Sequence, residues 1–142
     1  MKITMPDVWD TMDSQSPGKK WDFQRYQPDV VTICLGQNDG EQDPKIFTDA
    51  YVTFIRELRH VYPKAHIVVL NSPMGDDSLK AYQQMVLAQV VEECIESGDP
   101  DVHEFIFSKR YHNGCGGHPD VDDHRQIAAE LAAYVASTFN WH

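Results

Sequence analysis

An α/β fold, a narrow parallel sheet with helices on both faces, is what the sequence predicts, and three observations predict it. Three short apolar runs, VVTICL at 30–35, HIVVLN at 66–71 and VHEFIF at 102–107, are each bounded by turn residues. Each is followed by a longer segment whose apolar residues recur at helical spacing. The resulting order, strand, helix, strand, helix, strand, helix, calls for right-handed crossovers and parallel pairing. In open sheets of this kind, sites form beyond the carboxyl ends of the strands. Three loops qualify: Gly36–Gln42, Ser72–Asp77 and Ser108–Pro119.

The elements follow in order. Pro6 to Asp10 opens a short helix, since proline suits a first turn. Residues 14–20 are loop composition, and Trp21 to Tyr26 forms a helical turn closed by Gln27-Pro28-Asp29. The run at 30–35 is apolar at nearly every position, as for a parallel strand covered on both sides, and Cys34 within it reads as a small buried hydrophobe. Asp43-Pro44 gives a helix cap and first turn, and Phe47, Tyr51, Phe54, Leu58 and Val61 form the apolar stripe. After the second strand, Ser78 is expected to cap a long helix that buries Leu79, Tyr82, Val86, Val90 and Cys94. The third strand leads through Gly114-Cys115-Gly116-Gly117 to a last helix starting near Asp120, with Ile127, Leu131, Val135 and Phe139 facing inward.

The totals narrow the function. A chain of 142 residues, 42% hydrophobic and 24% charged, supports one globular domain with a single core. A formal net charge of −10 disfavours nucleic acid and leaves a neutral substrate such as a sugar open. Three cysteines without a C-x-x-C pair indicate neither a disulfide framework nor a thiolate zinc site. No stretch approaches the roughly 18 apolar residues of a membrane span, and the opening MKITMPDVWD lacks the apolar segment of a signal peptide.

Two short blocks carry unusual chemistry. The first strand ends on Gly36-Gln37-Asn38-Asp39, and the loop after the third contains Gly114-Cys115-Gly116-Gly117-His118-Pro119 with His124 beyond it. Taken singly, the first is turn composition and the second a loop histidine. Taken together, in order and at strand ends, they resemble the G-x-N-D block and the closing block of the SGNH (GDSL-type) hydrolases. The G-C-x-x-H-P loop, with His124-Arg125-Gln126-Ile127-Ala128 after it, is similar to carbohydrate esterase family 2, the acetyl xylan esterase-like deacetylases. Trp21-Asp22-Phe23, Gln27-Pro28-Asp29-Val30-Val31 and Ser72-Pro73-Met74-Gly75 resemble that family's connecting segments.

The resemblance covers essentially the whole chain and implies a three-layer flavodoxin-like domain. It implies serine esterase chemistry by acyl transfer on acetylated carbohydrate, no cofactor and an extracellular setting. His118 would be the general base, Asn38 an oxyanion-hole donor, and Gly36 would bring backbone close to the substrate. Asp39 is expected to hold its loop by local hydrogen bonds, and His124 to make a structural one.

The sequence departs from the family pattern twice. No acid precedes His118, since Cys115, Gly116 and Gly117 stand there, so a main-chain carbonyl in that stretch is expected to orient the ring. Asp120, Asp122 and Asp123 follow it and suit a helix amino end. There is no G-D-S either, so the nucleophile is unknown; the serines are Ser14, Ser16, Ser72, Ser78, Ser97, Ser108 and Ser137. The chain thus resembles the carboxyl-terminal two-thirds of the family's catalytic domain. The strand at 30–35 is expected to lack its neighbour, and its open edge to pair with a second copy or with Met1–Met5. Two other readings stand beside the esterase. One is a non-catalytic sugar-binding module using Trp9, Trp21, Tyr111 and Trp141 as stacking faces. The other is a metal site from His103, His112, His118 and His124, whose spacing fits no standard zinc pattern.

Overall fold

The computed structural model describes residues 3–13 and 18–141. Its centre is a parallel sheet of β1 (Val30–Ile33), β2 (His66–Leu70) and β3 (Val102–Phe105), ordered β1-β2-β3. Val30 pairs with His66 and Ile33 with Val69, while Ile67 pairs with Val102 and Leu70 with Phe105. Each strand is shorter than its apolar run, for local reasons. Beyond β1, the Leu35 carbonyl accepts from Gln83 Nε2 at 3.3 Å instead of from a strand, and the chain bends at Gly36, φ +101. Beyond β3, the Phe107 N–H donates to Asn71 Oδ1 at 2.8 Å instead of to a strand.

The strand-side periodicity of two sorts the core into two layers. Ile33, Ile67, Val69 and Val102 face α2 (Pro44–Val61) and α3 (Asp77–Glu96), and meet Val52, Ile55, Leu58, Leu87 and Val90. Val68 and Leu70 face the other way, toward Phe107, Tyr111 and the inner side of α4 (Val121–Phe139). On α4, Ile127, Leu131 and Phe139 pack inward as expected, and Tyr134 joins the cluster where Val135 was expected. The short helix α1 (Met5–Val8) and a 3₁₀ turn at Phe23–Arg25 bring Trp9 and Phe23 together at 4.8 Å, and Trp9 reaches Phe54 at 5.8 Å.

The caps explain where the helices begin. Asp43 accepts from the Ile46 N–H at 3.0 Å with Pro44 behind it, as the sequence suggests. For α3 the cap is Asp76, accepting from Leu79 N at 2.9 Å, and not Ser78, whose hydroxyl donates to Glu41 Oε1 at 2.5 Å. Asp120 and Asp123 form a reciprocal capping box at the start of α4.

β1 pairs with β2 alone among the described residues. On its α4 side Thr32 and Cys34 are exposed, so Cys34 is not the buried residue its apolar run suggests. The cluster under α4 takes in Val68 and Leu70 of β2, Phe105 of β3 and, at the start of β1, the half-buried Val30. Residues 3–5 do not extend the sheet: Met5 starts a helix capped by Thr4, and Ile3 to Pro6 line a cleft together with Leu35 and Phe47. Met1 and Lys2 lie outside the described residues.

Ile67 sits fully buried on the central strand. Ile67→Ala is expected to lower the unfolding free energy by about 2–5 kcal/mol, measured as a fall in the urea midpoint with little change in slope.

Candidate active site

Two buried amides organise the carboxyl end of the sheet. Gln83, on the inner face of α3, donates through Nε2 to the Leu35 carbonyl at 3.3 Å and accepts from the Ser72 N–H through Oε1 at 2.8 Å. It therefore joins the loop after β1 to the loop after β2. Asn71 joins the second loop to the third through Phe107 N. Further bonds close the rim. Ser72 Oγ donates to Gln37 Oε1, the Tyr111 N–H donates to the Pro73 carbonyl at 2.7 Å, and Arg110 Nε donates to the Met74 carbonyl at 3.0 Å.

Gly36 is buried against this framework. A β-carbon there would lie 3.0 Å from Gln83 Nε2 and 3.0 Å from Phe47 Cζ, and its positive φ disfavours any other residue. The chain then emerges at Asn38, which is exposed and whose amide makes no hydrogen bond among the described residues. A cleft of about 540 Å³ borders Asn38, with Gly36, Gln42, Phe47 and Tyr51 among its walls. Asp39 does not secure the loop through its carboxylate; its main-chain carbonyl does so, accepting from Gln42 Nε2 at 2.6 Å.

His118 stands on the third loop. The Gly114 N–H donates to the His118 carbonyl at 2.7 Å, and the His118 N–H donates to the Cys115 carbonyl at 3.2 Å. The closure is so tight that a β-carbon on Gly114 would come within 2.8 Å of the His118 oxygen. The ring Nδ1 lies 3.3 Å from the Cys115 carbonyl. A carbonyl only accepts, so this pairing puts the proton on Nδ1 and leaves Nε2 as the lone-pair nitrogen. Pro119 keeps His118 extended, at φ −86 and ψ 161. The ring is exposed, and Nε2 has no partner among the described residues.

α4 moors this loop with two carboxylates. Asp123 is buried and accepts from Asn113 N at 2.8 Å and Asn113 Nδ2 at 2.7 Å. The Asn113 N–H holds its carboxyl below the usual carboxylate range, against the opposing effect of burial. Glu130 accepts from Ser108 N at 3.0 Å, from Ser108 Oγ at 2.6 Å and from the Tyr111 hydroxyl. Burial pushes the Glu130 carboxyl up, but the hydrogen bonds from Ser108 and Tyr111 outweigh it and leave it lowered.

Gly36 and Asn38 thus lie on the first loop and His118 on the third, at the same end of the sheet, linked through the second loop. Asn38 and His118 do not touch. Every described serine hydroxyl is engaged away from His118: Ser72 with Gln37, Ser78 with Glu41, Ser97 with the Cys94 carbonyl, Ser108 with Glu130 and Ser137 with the Tyr134 carbonyl. Ser14 and Ser16 lie outside the described residues. His124 is exposed, and its ring makes no hydrogen bond among the described residues, contrary to the structural role expected for it. Tyr111 is buried with its hydroxyl on Glu130, so it offers no stacking face; Trp9 is likewise packed against Phe23 and Phe54. Trp21 and Trp141 are exposed. His103 lies on β3, away from the loop and helix that carry His112, His118 and His124, so those four histidines form no joint site.

No family model matches the sequence. Individual proteins do. The chain is 35% identical over 136 residues to the cellulase/esterase CelE of Acetivibrio thermocellus, covering 87% of this chain and 16% of that one. It is 26% identical over 143 residues to an acetylxylan esterase / glucomannan deacetylase of Cellvibrio japonicus, covering 96% of this chain and 38% of the relative. An active-site mutant of a family two carbohydrate esterase from Clostridium thermocellum superposes with a TM-score of 0.88 at 32% identity, covering 100% of this chain and 45% of that one; a structure of such an esterase from the same organism holds cellohexaose. The chain therefore spans less than half the length of these proteins.

Sheet order, helices on both faces and the loops at the strand ends define the three-layer α/β fold of an SGNH-type hydrolase. Within that class, the chain is related over nearly its whole length to part of the family 2 carbohydrate esterases.

Two outcomes test this framework. Gln83→Leu strands the buried Ser72 N–H and should cost roughly 1–3 kcal/mol for that group alone, seen as a lower thermal midpoint. Asp123 and Glu130 have folded pKa values below their unfolded ones. Their contribution is complete above the ordinary carboxylate range near ~4 and is lost as pH falls through the lowered folded values. Asp123→Asn should therefore lower the thermal midpoint at neutral pH and flatten its further decline below about pH 4.

Proposed function

We propose that the chain carries the base and one oxyanion donor of a serine esterase that removes acetyl groups from carbohydrate. His118 Nε2 takes the proton from the attacking serine hydroxyl and returns it to the leaving sugar oxygen. The Asn38 amide donates to the oxyanion of the tetrahedral intermediate, with the backbone at Gly36 beside it. The Cys115 carbonyl does the work of the usual acid by fixing the tautomer. It supplies a dipole where an aspartate would supply a full charge, so it stabilises the imidazolium less. The nucleophilic serine is not among the described ones, whose hydroxyls are engaged away from His118. An extracellular setting goes with polymeric carbohydrate as substrate.

One observation carries this reading: a histidine whose Nδ1 is committed to a carbonyl and whose Nε2 is left free, on the rim that also presents an unpartnered asparagine amide. The relatives named as acetylxylan and glucomannan deacetylases support the substrate class.

A second reading is favoured by the engagement of every described serine elsewhere: a non-catalytic module that binds sugar. Hydrolysis of 4-nitrophenyl acetate separates the two. The esterase predicts turnover blocked by a serine-directed phosphonate, reduced about 10³-fold or more by His118→Ala and about 10²–10³-fold by Asn38→Ala. Turnover untouched by His118→Ala discards the assigned base. Binding of a cello-oligosaccharide without turnover selects the sugar-binding module.

A further inference from the structure

At the opposite end of the sheet from the proposed esterase site, β2 and β3 begin side by side with two histidines and an aspartate. His66 opens β2, His103 is the second residue of β3, and Asp101 immediately precedes that strand. One ligand atom from each lies within 4.8 Å of the others. His66 Nδ1 is 3.3 Å from Asp101 Oδ1, yet among the described residues neither His66 Nδ1 nor His103 Nε2 has a hydrogen-bond partner, and both atoms are shielded from solvent. A buried imidazole nitrogen without a partner costs free energy unless something fills the space between.

We propose that His66, Asp101 and His103 bind a transition-metal dication of the zinc type, with solvent as the fourth ligand. The ring separation is compatible with shared ligation, and the unpartnered buried nitrogens are what point to an ion. A metal held at about 2.0–2.1 Å from each ring nitrogen stands about 3.2 Å from each ring centroid, so tetrahedral ligation puts the centroids about 5.2 Å apart. The two rings are 5.5 Å apart with planes at 53°. Two imidazoles and one carboxylate, with an open position, are a borderline-soft set suited to Zn²⁺ or Co²⁺ and poor for Mg²⁺ or Ca²⁺.

The surroundings hold the ligands in place. Phe139 of α4 stacks on His66 at 4.2 Å and 16° and meets His103 edge-on at 5.0 Å. Arg59, the nearby cation, is neutralised by Asp99, which it grips at 2.8 and 3.0 Å. Its guanidinium also donates to the Ala65 carbonyl at 2.6 Å and the Asp101 carbonyl at 3.4 Å, which fixes the backbone on both sides of the site. The ion would clasp the starts of two strands and the end of α4, in a structural role separate from the esterase site and independent of that reading.

Titration calorimetry of the full chain with Zn²⁺ tests it, with Co²⁺ absorption as a second readout. The expected result is one saturable site, a visible band of tetrahedral intensity with Co²⁺, and a thermal midpoint raised by Zn²⁺. Asp101→Asn, on a half-exposed side chain, and His103→Asn should each weaken binding at least tenfold and abolish the thermal shift, while His124→Asn leaves both intact. If His103→Asn fails to fold, Asp101→Asn decides. Absence of saturable binding, binding indifferent to Asp101→Asn, or binding lost with His124→Asn overturns the proposal.

Discussion

The loops that follow β1 and β2 depend on one buried amide. Parallel strands leave their last carbonyls and N–H groups pointing at loops, and in a buried setting each must find a partner. Gln83 answers two of these at once, the Leu35 carbonyl and the Ser72 N–H. It lies on the buried face of α3 with Leu79, Val86, Leu87 and Val90. Its amide also occupies the space that a side chain at position 36 would need. The glycine, the bend after it and the exit of Asn38 toward solvent all follow from where this one side chain sits.

The proposed base is organised differently from the proposed oxyanion donor. Asn38 is placed by the buried core beneath its loop, and His118 by hydrogen bonds within a five-residue turn. That turn contributes no buried side chain of its own. Its rigidity comes from close main-chain approach at Gly114 and from the carboxylates of α4. A carbonyl as orienting group is neutral, so it needs no buried negative charge in the loop and incurs no desolvation cost. It also leaves the imidazolium to be stabilised by the wider field of the protein, whose formal net charge is −10.

Much of the fold was legible in the residues. The three apolar runs, the Asp43-Pro44 cap and the aspartates near 120 are strong local signals, and the structure follows them. The misreadings have a common cause, which is that side chains settle questions that composition leaves open. The runs at 30–35 and 102–107 stay apolar to their ends, but the amides of Gln83 and Asn71 take backbone groups at Leu35 and Phe107 beyond the ladders. Cys34 stands in an apolar run, yet it is exposed among the described residues, because the cover on that face of β1 reaches Val30 and not Thr32 or Cys34. On α3 the buried position is Gln83 and not the more apolar Tyr82 one place earlier. The spacing Leu79, Gln83, Val86, Val90, Cys94 was the better helical stripe and pointed to a buried polar group. The cluster at His66, Asp101 and His103 needed the parallel register of β2 and β3, which no linear pattern displays.

The moorings of the histidine loop have a mechanical side. Asp123 and Glu130 belong to the last helix, which meets the sheet along a single apolar seam of Ile127, Leu131, Tyr134 and Phe139. The loop that carries His118 is nonetheless tied to both layers: to the last helix through Asp123 and Glu130, and to α3 and the second loop through Lys80 on the Ser108 carbonyl and the Tyr111 N–H on the Pro73 carbonyl.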